Sequence, residues 1–304
     1  MKRKVHMTEI SVNLYKQTNP ITGTVIENKR ITAESRGPKS DVRHIIIRYK
    51  EKYPYIPGQS AGIIPPGIDE RTGKPHHLRL YSVASDRHGD LNDNQTISLC
   101  VVRHFFDDPK TGEKGKPGLC SNYLCDLKVG DTVQMTGPAG KHFVLPDDFL
   151  KRDIVFMATG TGIAPYRGML KEMFDAGFGG RVWLYFGAAY ENVLIYNNEF
   201  QALAGKHKNF FYVTAVSREG EKNPVPDIVP TREDKMYVQV RLYQDREVMK
   251  EIFSKKDTLL YLCGLKGMEA GIFPVLEKLG QEMGLPDSLV AALKKEHRLL
   301  VEVY

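Results

Sequence analysis

Up to about residue 146 the chain alternates apolar and polar positions in short pieces broken by glycine and proline. After an amino-terminal arm, TGTVIENKRIT (22–32) alternates in the manner of a strand, and HIIIRY (44–49) is a stronger one. RLYSVAS (79–85) and TISLCVV (96–102) continue the series. Between HIIIRY and RLYSVAS, KYPYIPGQSAGIIPPGID is punctuated by Pro54, Pro57, Gly58, Pro65, Pro66 and Gly67. HFFDDPKTGEKGKPG (104–118) reads as a charged loop. LCSNYLCDLKVGD follows as a short helical piece capped by Ser121 or Asn122, and TVQMTGPAGKHFVLP (132–146) returns to the β pattern. Strands joined by such turns predict an antiparallel barrel or sandwich.

From Asp147 the period changes. Strands DIVFMAT, RVWLYFGA, NFFYVTAVS, TLLYLCG and LLVEVY alternate with helices PYRGMLKEMFDA, NNEFQALAGKH, DREVMKEIFSK, MEAGIFPVLEKLGQEMG and SLVAALKKEH, with an irregular charged segment before Asp245. Alternation of this kind predicts a parallel sheet wrapped by helices. The expected domains are therefore residues 1–146, mostly β, and 147–304, α/β. Ligands on a parallel sheet sit at the carboxyl ends of its strands. That singles out Thr159 to Thr161, Gly187, Ser217 with Arg218, and Cys263 with Gly264.

Composition narrows the class. The 304 residues are 41% hydrophobic and 26% charged, normal for a soluble globular chain, and no apolar run is long enough to span a bilayer. The start, MKRKVHMTEISVNLYKQ, lacks the hydrophobic core of a secretion signal, so a cytoplasmic location is expected. Four scattered cysteines do not make a disulfide framework and favour a reducing compartment. A net charge of +6 allows an acidic partner to be steered in. Basic residues are not interleaved with aromatics as a nucleic-acid surface needs. Cys120 and Cys125 match the first pair of a plant-type iron–sulfur motif, but its two further cysteines are missing, and the histidines lack zinc-ligand spacing.

The most chemical stretch is DIVFMATGTGIAPYRGM (153–169). An apolar strand breaks into Thr159-Gly160-Thr161-Gly162, and a helical pattern starts at Ala164. Glycines let backbone approach a ligand closely, and the first N–H groups of the helix favour a pyrophosphate. The dinucleotide fingerprint is met in part: Gly160 and Gly162 fit, whereas Pro165 stands at the third glycine, where a first helical turn accepts proline.

RLYS at 79–82, GLCSNYLCDL at 118–127, ATGTGIAPYR at 158–167, CGLKGMEAGI at 263–272 and the closing VEVY resemble, in this order and spacing, the plant-type ferredoxin:NADP reductase family. The resemblance spans nearly the whole chain. It implies an antiparallel FAD-binding β-barrel followed by an NADP-binding α/β domain with a parallel sheet, the flavin lying at their junction. It implies FAD contacts from Arg79, Leu80, Tyr81, Ser82, Cys100, Phe106, Gly118, Leu119, Cys120 and Ser121. Tyr81 would cover one face of the flavin ring, Arg79 would meet the pyrophosphate, and Ser82 would place its hydroxyl near flavin N5. Phe106 stands where the family usually has a tyrosine on the adenine.

For NADP the resemblance implies Thr161, Gly162, Pro165, Gly264 and Leu265. A 2′-phosphate needs basic donors, and Ser217, Arg218, Lys235, Tyr237 and Gln239 match the family's site for it, with Tyr237 on the adenine. Without the resemblance these would be a polar loop and an edge strand. Tyr304 would stack on the flavin face that nicotinamide must reach, weaken nicotinamide binding and help discriminate NADP from NAD. Cys263 and Glu302 would border the nicotinamide. Two features depart from the family. Val102 replaces a common basic residue, leaving Arg103 either facing elsewhere or redirected by a bulge, and NPVPDIVP (223–230) is long and proline-rich.

The expected activity is hydride exchange between FAD and NADP(H), coupled to single-electron exchange with ferredoxin or flavodoxin, in a monomer. Two other readings are the reductase component of an oxygenase or epoxidase system, and a flavoprotein sensor without sustained turnover.

Overall fold

The structure, a computed structural model, describes residues 10–70 and 72–304. The first nine residues of the expected amino-terminal arm, and with them the start of the stretch read for a targeting signal, lie outside the described residues. By its internal contacts the chain divides into two compact units. One takes the described residues up to Leu145 together with Ala164–Asp175; the other takes Pro146–Ile163 and Ala176–Tyr304.

In the first unit β1 (Ile21–Arg30), β2 (Val42–Arg48), β3 (Ser60–Ile64), β4 (Ile68–Asp69), β5 (Lys74–Pro75), β6 (Arg79–Ser82), β7 (Thr96–Val102), β8 (Phe105–Phe106), β9 (Lys116–Pro117), α1 (Leu119–Asp126) and β10 (Thr132–Ala139) follow in order. Six of them form an antiparallel sheet in the order β6-β3-β10-β1-β2-β7. Val83, just past β6, makes an antiparallel bridge to Leu99 on β7, so the two edges meet and the sheet closes as a barrel. Inward positions alternate along β1 as Ile21, Gly23 and Val25, all buried. A Cβ on Gly23 would lie 2.3 Å from a methyl of Ile47, so glycine is what lets β2 pack there. Ile45, Ile47, Ile63, Leu99, Val133 and Met135 fill the interior.

Neither Ser121 nor Asn122 caps α1. The helix starts at Leu119, three or four residues earlier than a cap at Ser121 or Asn122 would place it, with Gly118 as the extended N-cap residue and no side-chain cap. Ser121 and Asn122 both turn back and donate to the Gly118 carbonyl, at 3.3 and 2.8 Å. Arg103 does not reach out from the end of β7. Its guanidinium meets Asp41 at 3.0 Å, Asp126 at 2.8 Å and Asn122 at 3.2 Å, and so ties β7 to α1.

The remaining chain supplies β11 (Ile154–Thr159), α2 (Ala164–Asp175), β12 (Val182–Ala188), α3 (Asn197–Lys206), β13 (Phe210–Val216), α4 (Val238–Gln244), α5 (Arg246–Ser254), β14 (Leu259–Gly264), α6 (Met268–Glu282), α7 (Leu289–Lys295) and β15 (Leu299–Val303). All five strands are parallel, in the order β13-β12-β11-β14-β15. Ile154 to Ala158 are all buried, as expected of a strand covered on both faces.

One helix departs from the sequence pattern. The pattern before Asp245 predicts an irregular segment, with MYVQ an edge strand at most, yet Val238–Gln244 is helical. Its alternating valines mimic a strand, but Val238, Val240, Leu242 and Tyr243 all become buried in a helix, which outweighs their local preference. The helix lies close on α6. Gly271 leaves the room, since a Cβ there would lie 2.7 Å from the Gln239 amide. The proline-rich segment is an ordered turn: buried Asn223 donates to the Val229 carbonyl at 2.6 Å and accepts from the Val225 N–H at 2.9 Å.

Candidate active site

In the first unit the predicted flavin-contacting residues lie on β6, on β7, on β8 and at the start of α1. On β6, Arg79 and Leu80 are exposed while Tyr81 and Ser82 are half-buried. Arg79 donates to the carbonyls of His77 and Leu78, both at 3.1 Å, which folds its guanidinium back along the strand. Tyr81 packs against the barrel core with its hydroxyl close enough to the Cys120 thiol for each to act on the other, while the thiol itself lies 3.9 Å from the Ile63 carbonyl. Burial, reinforced by the thiol, holds the Tyr81 phenol well above its ordinary range. Burial also pushes the Cys120 thiol up to about 11. Both groups are therefore neutral at physiological pH.

That turn begins with Gly118, whose N–H donates to the His104 carbonyl at 2.9 Å, while the Ser121 hydroxyl accepts from the His104 N–H at 3.3 Å. The N–H groups of Leu119, Cys120 and Ser121 open the helix, which has no side-chain cap and no acidic residue in its first turn. Phe106 is 39% exposed on β8, its ring stacked with His104 at 6.4 Å and 8°. Leu80 and Leu119 are also exposed. An exposed aromatic, exposed leucines, an arginine and an uncapped helix start have the donors and apolar faces that a flat heterocycle carrying phosphates requires. Cys100 is buried on β7, in register with His44.

In the second unit the glycine turn follows β11. Gly160 has φ +55°, and a Cβ on Gly162 would lie 2.2 Å from the Cys263 carbonyl oxygen, so the turn is pressed onto the end of β14. Gly264 closes the other side: its φ is +157°, and a Cβ there would lie 2.3 Å from Thr159 Oγ1. Thr159 Oγ1 accepts the Leu265 N–H at 3.2 Å. Leu265 itself is exposed. Pro165 is buried as the second residue of α2, which by its contacts belongs to the first unit.

Cys263 and Glu302 are register partners on adjacent parallel strands. Burial raises the Glu302 carboxyl to about 7. Burial, followed by the neighbouring Glu302, keeps the Cys263 thiol protonated far above neutrality. Tyr304 is exposed at the chain end, and its hydroxyl lies 2.6 Å from Thr161 Oγ1 in the glycine turn. The main chain fixes it too: its N–H donates to Gly264 and its carbonyl accepts from Lys266.

Past β13, Ser217 and Arg218 donate their N–H groups to Ala188 and Ala189 at the end of β12. The Arg218 guanidinium sits over the Tyr190 ring at 5.6 Å, a cation–π contact, and its Nη1 donates to the Tyr190 hydroxyl at 3.5 Å. Tyr190 carries no motif and could not be found in the sequence. Lys235 is ion-paired with Glu233 at 2.7 Å, Tyr237 is the N-cap residue of α4, and Gln239 lies against α6.

Residues 156–273 match the family described as oxidoreductase NAD-binding domain. The ferredoxin-NADP reductase of the Cyanophora paradoxa cyanelle is 42% identical over 97% of this chain and 80% of its own length. The chain belongs to the ferredoxin-NADP reductase family. A Spirulina ferredoxin-NADP reductase is 42% identical over 98% of this chain and 99% of its own length, and an Arabidopsis thaliana root isozyme is 41% identical over 97% of this chain and 78% of its own. Among solved structures, the ferredoxin-NADP+ reductase from Plasmodium falciparum is 25% identical, with a TM-score of 0.73, over 96% of this chain and 99% of that one. These relatives favour the ferredoxin reading over an oxygenase reductase. Within this family the chain is an oxidoreductase, and the cofactors of the family are FAD and NADP(H). Among the described residues no helix is long and apolar enough to cross a membrane, and no group of three or more His, Cys, Asp or Glu could hold a metal ion.

Proposed function

We propose that this chain exchanges a hydride with NADP(H) and single electrons with ferredoxin or flavodoxin, using residues 1–146 for FAD and 147–304 for NADP(H). The observation that carries the residue assignments is the hydroxyl contact between Tyr304 and Thr161. It keeps the terminal aromatic beside the glycine turn, at the strand ends where a nucleotide is bound. FAD, when bound, accepts a hydride and releases electrons one at a time, so it can join a two-electron donor to a one-electron carrier.

The chain's own residues then bind, orient and exclude. Arg79 and the N–H groups at the start of α1 offer cationic and dipolar partners to the FAD phosphates. Tyr81, packed against the barrel core, presents its ring to the flavin, and the exposed Phe106 ring is available to the adenine. Ser82 supplies a hydroxyl near the hydride-accepting position. Thr161, Gly162 and Leu265 border the NADP pyrophosphate, Pro165 stiffens the helix start, and the bare Gly264 leaves space at the strand end. Ser217, Arg218, Lys235, Tyr237 and Gln239 take the adenosine 2′-phosphate. Cys263 limits the nicotinamide pocket by shape, and Glu302, with a carboxyl at about 7, can hold or give up a proton there. Tyr304 must leave its place for nicotinamide to enter, which tunes affinity and discrimination against NAD.

A net charge of +6 suits an acidic carrier. The four cysteines are buried and none is in a disulfide, which suits a reducing compartment such as the cytoplasm, where we place the enzyme as a monomer. The test is anaerobic mixing of the yellow protein with NADPH, and separately with NADH, followed in the visible flavin band, then addition of oxidised ferredoxin. Fast bleaching by NADPH and recovery with ferredoxin is expected. Bleaching that ferredoxin leaves unreversed refutes the carrier, and a colourless protein refutes the flavin site.

A further inference from the structure

The turn that precedes Lys235 puts an anion where the 2′-phosphate would have to bind. Glu233 and Asp234 both have left-handed backbone, with φ of +56° and +51°, although neither is glycine. Such backbone is sparsely populated by residues with a side chain and persists only where its surroundings hold it. Here they do. Lys222 and Lys235 form an antiparallel bridge across the turn, the Asn223 N–H donates to the Asp234 carbonyl at 2.8 Å, and the Thr231 hydroxyl donates to the Lys235 carbonyl at 2.8 Å.

The consequence is that Glu233 is folded back over the loop. Its carboxylate meets Lys235 Nζ at 2.7 Å through one oxygen and Arg232 Nε at 3.2 Å through the other. Its carbonyl accepts from Lys222 Nζ at 3.1 Å. The carboxylate also acts through space on Arg218. Three cations are therefore gathered around one glutamate, with a fourth in electrostatic reach.

We propose that Glu233 is a specificity-determining residue: its carboxylate is a built-in competitor for the 2′-phosphate, which must displace it from Lys235. The inference rests on the assignment of Lys235 to the 2′-phosphate. A phosphate arriving at Lys235 finds one of three ammonium donors engaged and a like charge beside it. A free 2′-hydroxyl, in contrast, can donate to a carboxylate. Glu233 thus lowers affinity for the phosphorylated nucleotide, spares the unphosphorylated one, and narrows the preference between them. It acts through Lys235 and touches no reacting atom.

The test is calorimetric titration of the FAD-loaded protein with 2′-phospho-AMP and with 5′-AMP, in the wild type and in E233Q, E233N, K235Q and E233Q/K235Q. Asparagine tolerates left-handed backbone, so E233N removes the charge without further strain on the turn. Exposed ion pairs are individually weak, and loss of repulsion adds to loss of competition. Both single Glu233 variants are therefore expected to bind 2′-phospho-AMP about threefold to tenfold more tightly, with 5′-AMP unchanged or weaker. The kcat/KM ratio of NADPH to NADH should rise by the same factor through KM. In the K235Q background the gain should shrink below about twofold. If K235Q weakens 2′-phospho-AMP but neither Glu233 variant tightens it, the inference is overturned while the phosphate assignment stands. If K235Q has no effect on 2′-phospho-AMP, the assignment fails and the inference with it. A gain confined to E233Q or E233N alone also overturns it.

Discussion

Glu302→Gln should stabilise the second unit above neutral pH and leave it unchanged in mild acid. Burial raises the Glu302 carboxyl from 4.5 to about 7, so the folded protein keeps a proton that the unfolded chain gives up. Stability then falls as pH rises between these two values, and the loss is complete above the higher one. At about 1.4 kcal/mol per unit, the shift corresponds to roughly 3 kcal/mol, an upper bound because Glu302 is only half-buried. Glutamine has the same shape and no charge to desolvate. Relative to wild type, the variant should gain about 1–3 kcal/mol near pH 8 and close to nothing near pH 4.5. Trp183 is the sole tryptophan and lies on β12 in the same sheet as Glu302, so urea denaturation followed by its fluorescence reports this unit. A gain equal at both pH values would refute the argument, because only ionisation makes it pH-dependent. A gain larger in acid would reverse its sign.

Tyr304→Ser should bind NADP(H) more tightly and discriminate less against NADH. Tyr304→Phe, which loses only the 2.6 Å contact with Thr161, should fall between it and wild type in a titration with NADP+. Gly162→Ala should cost more than about 2 kcal/mol in denaturant unfolding, because its methyl would meet the Cys263 carbonyl oxygen at 2.2 Å; wild-type stability would show that the turn can move. Arg103→Ala should lower stability by about 1–3 kcal/mol through loss of its contact with buried Asp41, while KM for NADPH stays unchanged; a rise in KM would mean that Arg103 serves the nucleotide after all.

The parts legible in the sequence were those fixed by local pattern. β7 has the same bounds in the structure as in the alternation TISLCVV, and the unbroken run Ile154 to Ala158 announced a strand buried on both faces. The glycine turn was legible because glycine at a forced position is a local statement. What stayed hidden depends on partners distant along the chain. Arg103 next to Val102 looked like a candidate for the phosphate until Asp41, 62 residues away, was found to hold it. Val238 and Val240 alternate as a strand does, and only the surface offered by α6 makes a helix of them. Tyr190 carries no motif, yet it receives the Arg218 guanidinium from 28 residues away.

The same contrast explains why the carboxyl terminus can serve a site without being loose. Parallel pairing carries β15 beside β14 up to Gly264 and Val303, and the next residue is then fixed by two main-chain hydrogen bonds, to Gly264 and from Lys266. These bonds do not involve the ring. The hydroxyl ties the ring to Thr161, and Thr161 belongs to the turn assigned to the pyrophosphate. A ligand that engages that threonine therefore competes for a bond that keeps Tyr304 in place, while the backbone anchors stay intact. On the reading proposed for Tyr304, rotation of that side chain clears the position, and no strand has to be unpaired. The register of the sheet thus fixes the backbone at Tyr304, and the hydroxyl pair with Thr161 links its ring to the glycine turn.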